Sequence, residues 1–126
     1  MAYILVVDDD ASHRALICDH LQEAGYQTSE AANGREALDW LEENQPAAVL
    51  LDLRMPVMSG WVLLEVLKKM PHTRQLPIII ISAYGYEWEA ELVGASGYVS
   101  KPVDLEKVRQ TVERIVGPPQ PVMMVH

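Results

Sequence analysis

Short apolar runs alternate with longer amphipathic stretches along the whole chain. Four runs, YILVV (3–7), AAVLLDL (47–53), PIIIIS (77–82) and GYVSK (97–101), have the length and β-branched content of buried strands. A fifth, YQTSEA (26–31), is more polar and predicts an edge strand. The apolar runs are continuous, without a period of two, which predicts a parallel sheet covered on both faces.

Helical spacing fills the intervals. Residues 11–24 gather Leu16, Ile17, His20, Leu21 and Ala24 on one face and stop at Gly25. Residues 34–44 gather Ala37, Leu38 and Leu41 behind Asn33 as N-cap. Residues 60–70 carry Val62, Leu63, Val66, Leu67 and Met70 before Pro71. Residues 104–116 carry Leu105, Val108, Val112, Ile115 and Val116, with Asp104 as N-cap. Between the last two, YEWEAELV (86–93) predicts a short helix flanked by Gly85 and Gly94. Five strands alternating with five helices predict an α/β, doubly wound, flavodoxin-like (βα)5 domain. Right-handed crossovers with the polar strand at the edge give the order 2-1-3-4-5. The domain is expected to span 1–117, leaving 118–126 as a proline-rich linker stub or partner-docking tail.

Composition narrows the classes. At 49% hydrophobic and 22% charged, 126 residues suit one domain with an ordinary core. No apolar run approaches the ~20 residues of a membrane span. The N-terminus MAYILVVDDD lacks a basic segment and turns acidic early, so no signal peptide is expected. Cys18 is the lone cysteine, which excludes an intrachain disulfide and fits a small core residue in a reducing, cytoplasmic setting. A net charge of −8 argues against direct binding to nucleic acid.

One aspartate, Asp52, is set into the third apolar run, where an unpaired carboxylate is costly. In open α/β sheets ligands bind beyond the carboxyl ends of the strands, where the winding reverses. The residues there are Asp8, Asp9 and Asp10 after the first strand, Asp52 in the third, Ser82 after the fourth and Lys101 after the fifth. Asp8, Asp9 and Asp52 are expected to meet at one crevice and to repel one another until a hard divalent cation, Mg²⁺, joins them. Lys101 adds a compact positive charge and Ser82 a hydroxyl. That set forms a receptacle for a phosphoryl group, with Asp52 as nucleophile. Ala83 keeps the crevice open, the Lys101–Pro102 bond is a candidate cis peptide, and the MPVMSG turn offers backbone amides. Singly these residues read as turn, cap or surface positions, as Asp10 does. Their convergence on strand ends of one sheet favours a site. His13, His20, His72 and His126 show no metal-ligand spacing and read as helix-face, loop and tail residues.

From about residue 2 to 117, the motifs ILVVDDD, LLDLRMPVMSG, IIISAYG and GYVSKP resemble, in order, those of response-regulator receiver domains of two-component signalling. The resemblance implies that Asp52 accepts a phosphoryl group from a sensor histidine kinase or a histidine phosphotransfer protein. It implies that Asp8, Asp9 and Asp52, with the Arg54 main-chain carbonyl, hold Mg²⁺, for which Mn²⁺ can substitute. Ser82 would turn toward the phosphoryl group, Tyr98 would rotate inward, and Lys101 would pair with its oxygens. Output would pass to a downstream protein, or to an output domain of a longer chain. Such a protein is a signalling switch that assists its own phosphorylation and dephosphorylation, and no enzyme of a separate metabolite.

The sequence departs from the family pattern in that Ser82 to Lys101 is shorter by roughly one helical turn. Ser59 replaces the more usual aspartate, and Val103 stands where phenylalanine is commoner. Arg54 and Tyr84, each two residues past a site residue, flank the expected path of the hydrolytic water and are expected to slow phosphoryl loss. Changing both to alanine should therefore raise the hydrolysis rate, measured by loss of the phosphoprotein with time. Among alternatives, a haloacid-dehalogenase-type phosphatase wants an aspartate where Arg54 stands, and a flavodoxin-like cofactor binder wants a phosphate loop where Asp8, Asp9 and Asp10 stand. A degenerate receiver serving as a phosphorylation-independent docking module is the remaining alternative, kept open by the short fourth helix.

Overall fold

The apolar runs form the strands because their backbone polar groups pair along the sheet while their side chains leave water on both faces. The structure, a computed structural model, describes residues 3–53, 59–83 and 94–119. Its strands are β1 (Tyr3–Val7), β2 (Gln27–Ala31), β3 (Ala48–Asp52), β4 (Ile78–Ser82) and β5 (Gly97–Ser100). They lie in the order β2-β1-β3-β4-β5, every neighbouring pair parallel. All five residues of β3 and of β4 are buried, whereas β2 at the edge buries only Ala31 fully.

Four helices are described: α1 (Ala11–Glu23), α2 (Gly34–Glu43), α3 (Gly60–Lys69) and α4 (Leu105–Val116). Each starts at a side-chain cap that satisfies amides the first turn leaves free. Asp10 accepts from the Ser12 and His13 amides, Asn33 from Glu36, Ser59 from Val62, and Asp104 from Glu106 and Lys107. After α1, Gly25 takes a φ of 104°, the left-handed conformation that suits glycine. The 86–93 helix, with its expected shortening, and residues 120–126 of the tail lie outside the described residues.

Alternation along the strands divides the core in two. Leu5, Val7, Val49, Leu51, Ile78 and Ile80 face α2 and α3, against Ala37, Leu41, Leu63, Leu64 and Leu67. Ile4, Val6, Leu50, Ile79, Ile81 and Val99 face α1 and α4, against Ile17, Cys18, Leu21, Val108 and Val112. Two expected core residues are exposed instead: Leu16 at 56% and Val62 at 48%. Each stands on the solvent side of the stripe its helix buries, centred on Ile17, Cys18 and Leu21 in α1 and on Leu63, Leu64 and Leu67 in α3. Cys18 is buried as expected, and burial pushes its thiol up to about 11, well away from the reactive range.

A polar pair also joins α1 and α4 beside their apolar contact. His20 Nε2 lies 3.4 Å from Glu106 Oε2, and Arg109 bonds both Glu106 and Glu113. The Arg109 hydrogen bond holds the Glu106 carboxyl below its usual value. At the amino-terminal edge of the sheet, the Tyr26 hydroxyl donates to the Gly117 carbonyl at 2.8 Å. Among the described residues, no helix is long and apolar enough to cross a membrane.

Candidate functional site

Strand register brings the acids together. Val7 pairs with Leu51, so Asp8, the next residue, leaves β1 level with Asp52. Asp52 pairs with Ile81, and Ser82 with Ser100, so Ser82 and Lys101 leave their strands at the same end of the sheet. The order β2-β1-β3 reverses the winding between β1 and β3, which opens the crevice there.

Asp52 is 3% exposed, and Lys101 Nζ donates to its Oδ2 at 2.6 Å. That charge-assisted bond helps to make a carboxylate tolerable at the end of a buried strand. The Lys101 side chain stays 26% exposed, so the ammonium spans the crevice with part of its surface in water. The Lys101–Pro102 peptide is cis, as the sequence suggested.

Asp8 is 1% exposed and its carboxylate is engaged at both oxygens. Oδ1 accepts from the Asp10 amide at 2.9 Å, while Oδ2 meets His13 Nδ1. Its backbone is held as firmly: the Asp8 amide donates to the Ala31 carbonyl at 3.1 Å, and Arg14 Nη1 donates to the Asp8 carbonyl at 2.7 Å. Arg14 Nε also bonds Glu30, which ties α1 to the edge strand beside the site.

Ser82 is buried, and Ala83 after it is exposed, so no bulky side chain at that position covers the opening. Tyr98 is half-buried, packs against the α2–α3 side of the core and directs its hydroxyl to the Ser82 carbonyl at 3.5 Å. Asp9 is exposed at the end of β1. Arg54 and Tyr84 lie outside the described residues.

Ligand atoms of Asp8, His13 and Asp52 lie within 4.8 Å of one another, a group able to hold a metal ion. The two buried carboxylates suit a hard divalent cation. His13 is the residue that sequence spacing missed. It is five positions from Asp8, which is neither a strand nor a helix repeat, and it reaches the carboxylate only because the Asp10 cap turns the chain back over the end of β1. The signal lay in the cap: with Asp10 as N-cap, His13 stands in the first turn of α1, beside the strand end.

A doubly wound sheet in this order, with buried acids and a lysine at its carboxyl edge, defines a receiver domain. The response regulator receiver domain family matches residues 4–113, and the chain belongs to that family, the receivers of two-component signalling. It is 37% identical over 115 residues to the sporulation initiation phosphotransferase F of Bacillus subtilis, covering 88% of this chain and 90% of that protein. Among solved structures it is similar to the chemotaxis protein CheY4 of Vibrio cholerae, with a TM-score of 0.84 and 32% identity over 91% of this chain and 98% of that one. It is also similar to the receiver domain of a Pseudomonas aeruginosa sensor histidine kinase, which was solved with a magnesium ion coordinated in its active-site cleft. There the TM-score is 0.82 and the identity 26%, over 92% of this chain and 98% of that one.

Proposed function

We propose that this protein is a phospho-accepting response regulator in which Asp52 takes a phosphoryl group in a Mg²⁺-dependent reaction. The observation that carries the reading is the buried Asp52 carboxylate bonded to Lys101 at 2.6 Å, beside the buried Asp8, at the winding reversal of a receiver sheet. The donor is a phosphohistidine on a sensor histidine kinase or a phosphotransfer protein. An Asp52 oxygen attacks phosphorus, the P–N bond breaks as the P–O bond forms, and the imidazole leaves with the electron pair.

Lys101 then exchanges part of its bond to Asp52 for the incoming phosphoryl oxygens, while the Ser82 hydroxyl donates to another. Tyr98, already linked to the Ser82 carbonyl, moves inward as that strand end shifts, which carries the event to the surface around β5 and α4. Asp8, Asp9 and Asp52, with the Arg54 carbonyl, hold Mg²⁺ or Mn²⁺, which when bound neutralises negative charge on the phosphoryl oxygens. Water later attacks the acyl phosphate and releases inorganic phosphate, at a rate set by Arg54 and Tyr84. The protein acts on its own side chain, in the cytoplasm, and delivers its signal to a protein target or to a covalently linked output domain.

Incubation with acetyl phosphate tests the reading, since acetate replaces the imidazole as leaving group. Intact-mass analysis should show the gain of one phosphoryl group with Mg²⁺ and none with a chelator present. Borohydride reduction followed by peptide mapping should place the group on Asp52. A protein that gains nothing with Mg²⁺ present is a docking module and not a phosphorylation switch.

A further inference from the structure

His13 reaches the crevice from the first turn of α1 and is held from two directions. Its amide donates to Asp10 Oδ1 at 3.1 Å, and its ring Nδ1 faces Asp8 Oδ2. The ring is 23% exposed, so one edge stays open to exchange with solvent. Asp8 Oδ1 accepts from the Asp10 amide, while Oδ2 meets the imidazole, so a cation that takes Oδ2 also meets Nδ1. Around an octahedral ion with bonds of about 2.1 Å, adjacent ligands lie about 3 Å apart and opposite ones about 4.2 Å. A spread of 4.8 Å among the Asp8, His13 and Asp52 ligand atoms therefore closes on one ion with small side-chain rotations.

We propose that His13 is a direct nitrogen ligand of the divalent cation in the crevice and shifts its preference from Mg²⁺ toward transition ions such as Mn²⁺ and Co²⁺. The inference rests on the reading of the crevice as a cation site. Mg²⁺ is hard, favours oxygen and retains its waters, so an imidazole adds little to its binding. Co²⁺ and, less strongly, Mn²⁺ gain from a nitrogen donor. Ligation would use the Nδ1 lone pair, so the contact with Asp8 Oδ2 is exchanged for one to the ion. An imidazole that only braced Asp8 by a hydrogen bond would affect all of these ions alike.

The test uses wild type and His13→Asn, because the asparagine amide keeps a donor near the Nδ1 position but is a poor transition-metal ligand. Calorimetric titration with Mg²⁺ and with Co²⁺ should give a Co²⁺ affinity about tenfold weaker in the variant, while Mg²⁺ affinity changes by less than about threefold. Pulsed EPR of the Mn²⁺ form should show imidazole ¹⁴N modulation in wild type and lose it in the variant. An unchanged ratio of Co²⁺ to Mg²⁺ affinity, or a wild-type spectrum without the nitrogen modulation, overturns the assignment of His13 while leaving the cation site standing. If wild type binds neither ion, the cation reading of the crevice falls and this inference falls with it.

Discussion

Lys101→Met is expected to destabilise the protein by about 2 kcal/mol in metal-free buffer and to slow phosphoryl uptake by about two orders of magnitude. The stability loss follows from what remains behind. Asp52 stays buried, with Asp8 nearby and the 2.6 Å bond to the lysine gone. Breaking a fully buried pair costs about 3–5 kcal/mol, and the figure is reduced here because the Lys101 side chain is partly in water. Asp52→Asn removes the buried charge itself, so it should leave stability nearly unchanged while abolishing uptake. In the Asp52→Asn background, adding Lys101→Met should then cost little, and the difference is a coupling of about 1–3 kcal/mol. Urea unfolding of the four proteins measures that coupling. The loss in rate follows from removing one preformed cation from the reacting oxygens, an effect of about 10²–10³. Equal stability of wild type and Lys101→Met would show that the ion pair contributes nothing to holding Asp52.

Gly60→Ala should cost about 2–3 kcal/mol, against the ordinary expectation that alanine improves a helix. A Cβ at Gly60 would lie 2.6 Å from the Asp52 carbonyl oxygen and 2.6 Å from Leu53 Cα. Both are backbone atoms, so neither can swing away. The Gly60 amide already donates to the Leu53 carbonyl at 3.2 Å, which clamps the start of α3 to the segment that carries Asp52. Relief of the clash must move the helix or the end of β3, and phosphoryl uptake should fall with stability. Gly97→Ala is the control. Its added Cβ would press on no backbone atom. It would meet Ile115 Cδ1 at 2.9 Å, the far end of a side chain that can shift, and Thr111 Cγ2 at 3.0 Å, which needs a few tenths of an ångström, so the cost should stay below about 1.5 kcal/mol. Denaturant midpoints that do not separate the two variants would contradict this account.

The sheet was readable because its interior strands are buried on both faces, so AVLLD and IIIIS carry a signal that no turn or exposed helix gives. The caps Asp10, Asn33 and Asp104 were equally plain, since their chemistry is local and sits within three residues of the amides it serves. Helix orientation was harder. In α1, Leu16, Ile17 and Cys18 are consecutive and step 100° apart, so periodicity alone does not say which flank of Ile17 enters the core. The sheet beneath decides it, taking Cys18 and leaving Leu16 to solvent. His13 was missed for a related reason: its meeting with Asp8 depends on how a loop folds back, not on a repeat within one element. The lysine and the acids were legible from strand ends and topology together, because neighbouring parallel strands deliver their last residues to one edge.

The bond from the Tyr26 hydroxyl to the Gly117 carbonyl pins the chain just after α4 to the turn before β2. Tyr26 precedes β2, so this anchor stands at the opposite pole from the crevice, roughly 15 Å away along five-residue strands. Pro119 packs close to Gly25 at the same pole. A fusion attached after Pro119 would therefore begin at the end of the sheet away from Asp52, about one strand length from the crevice.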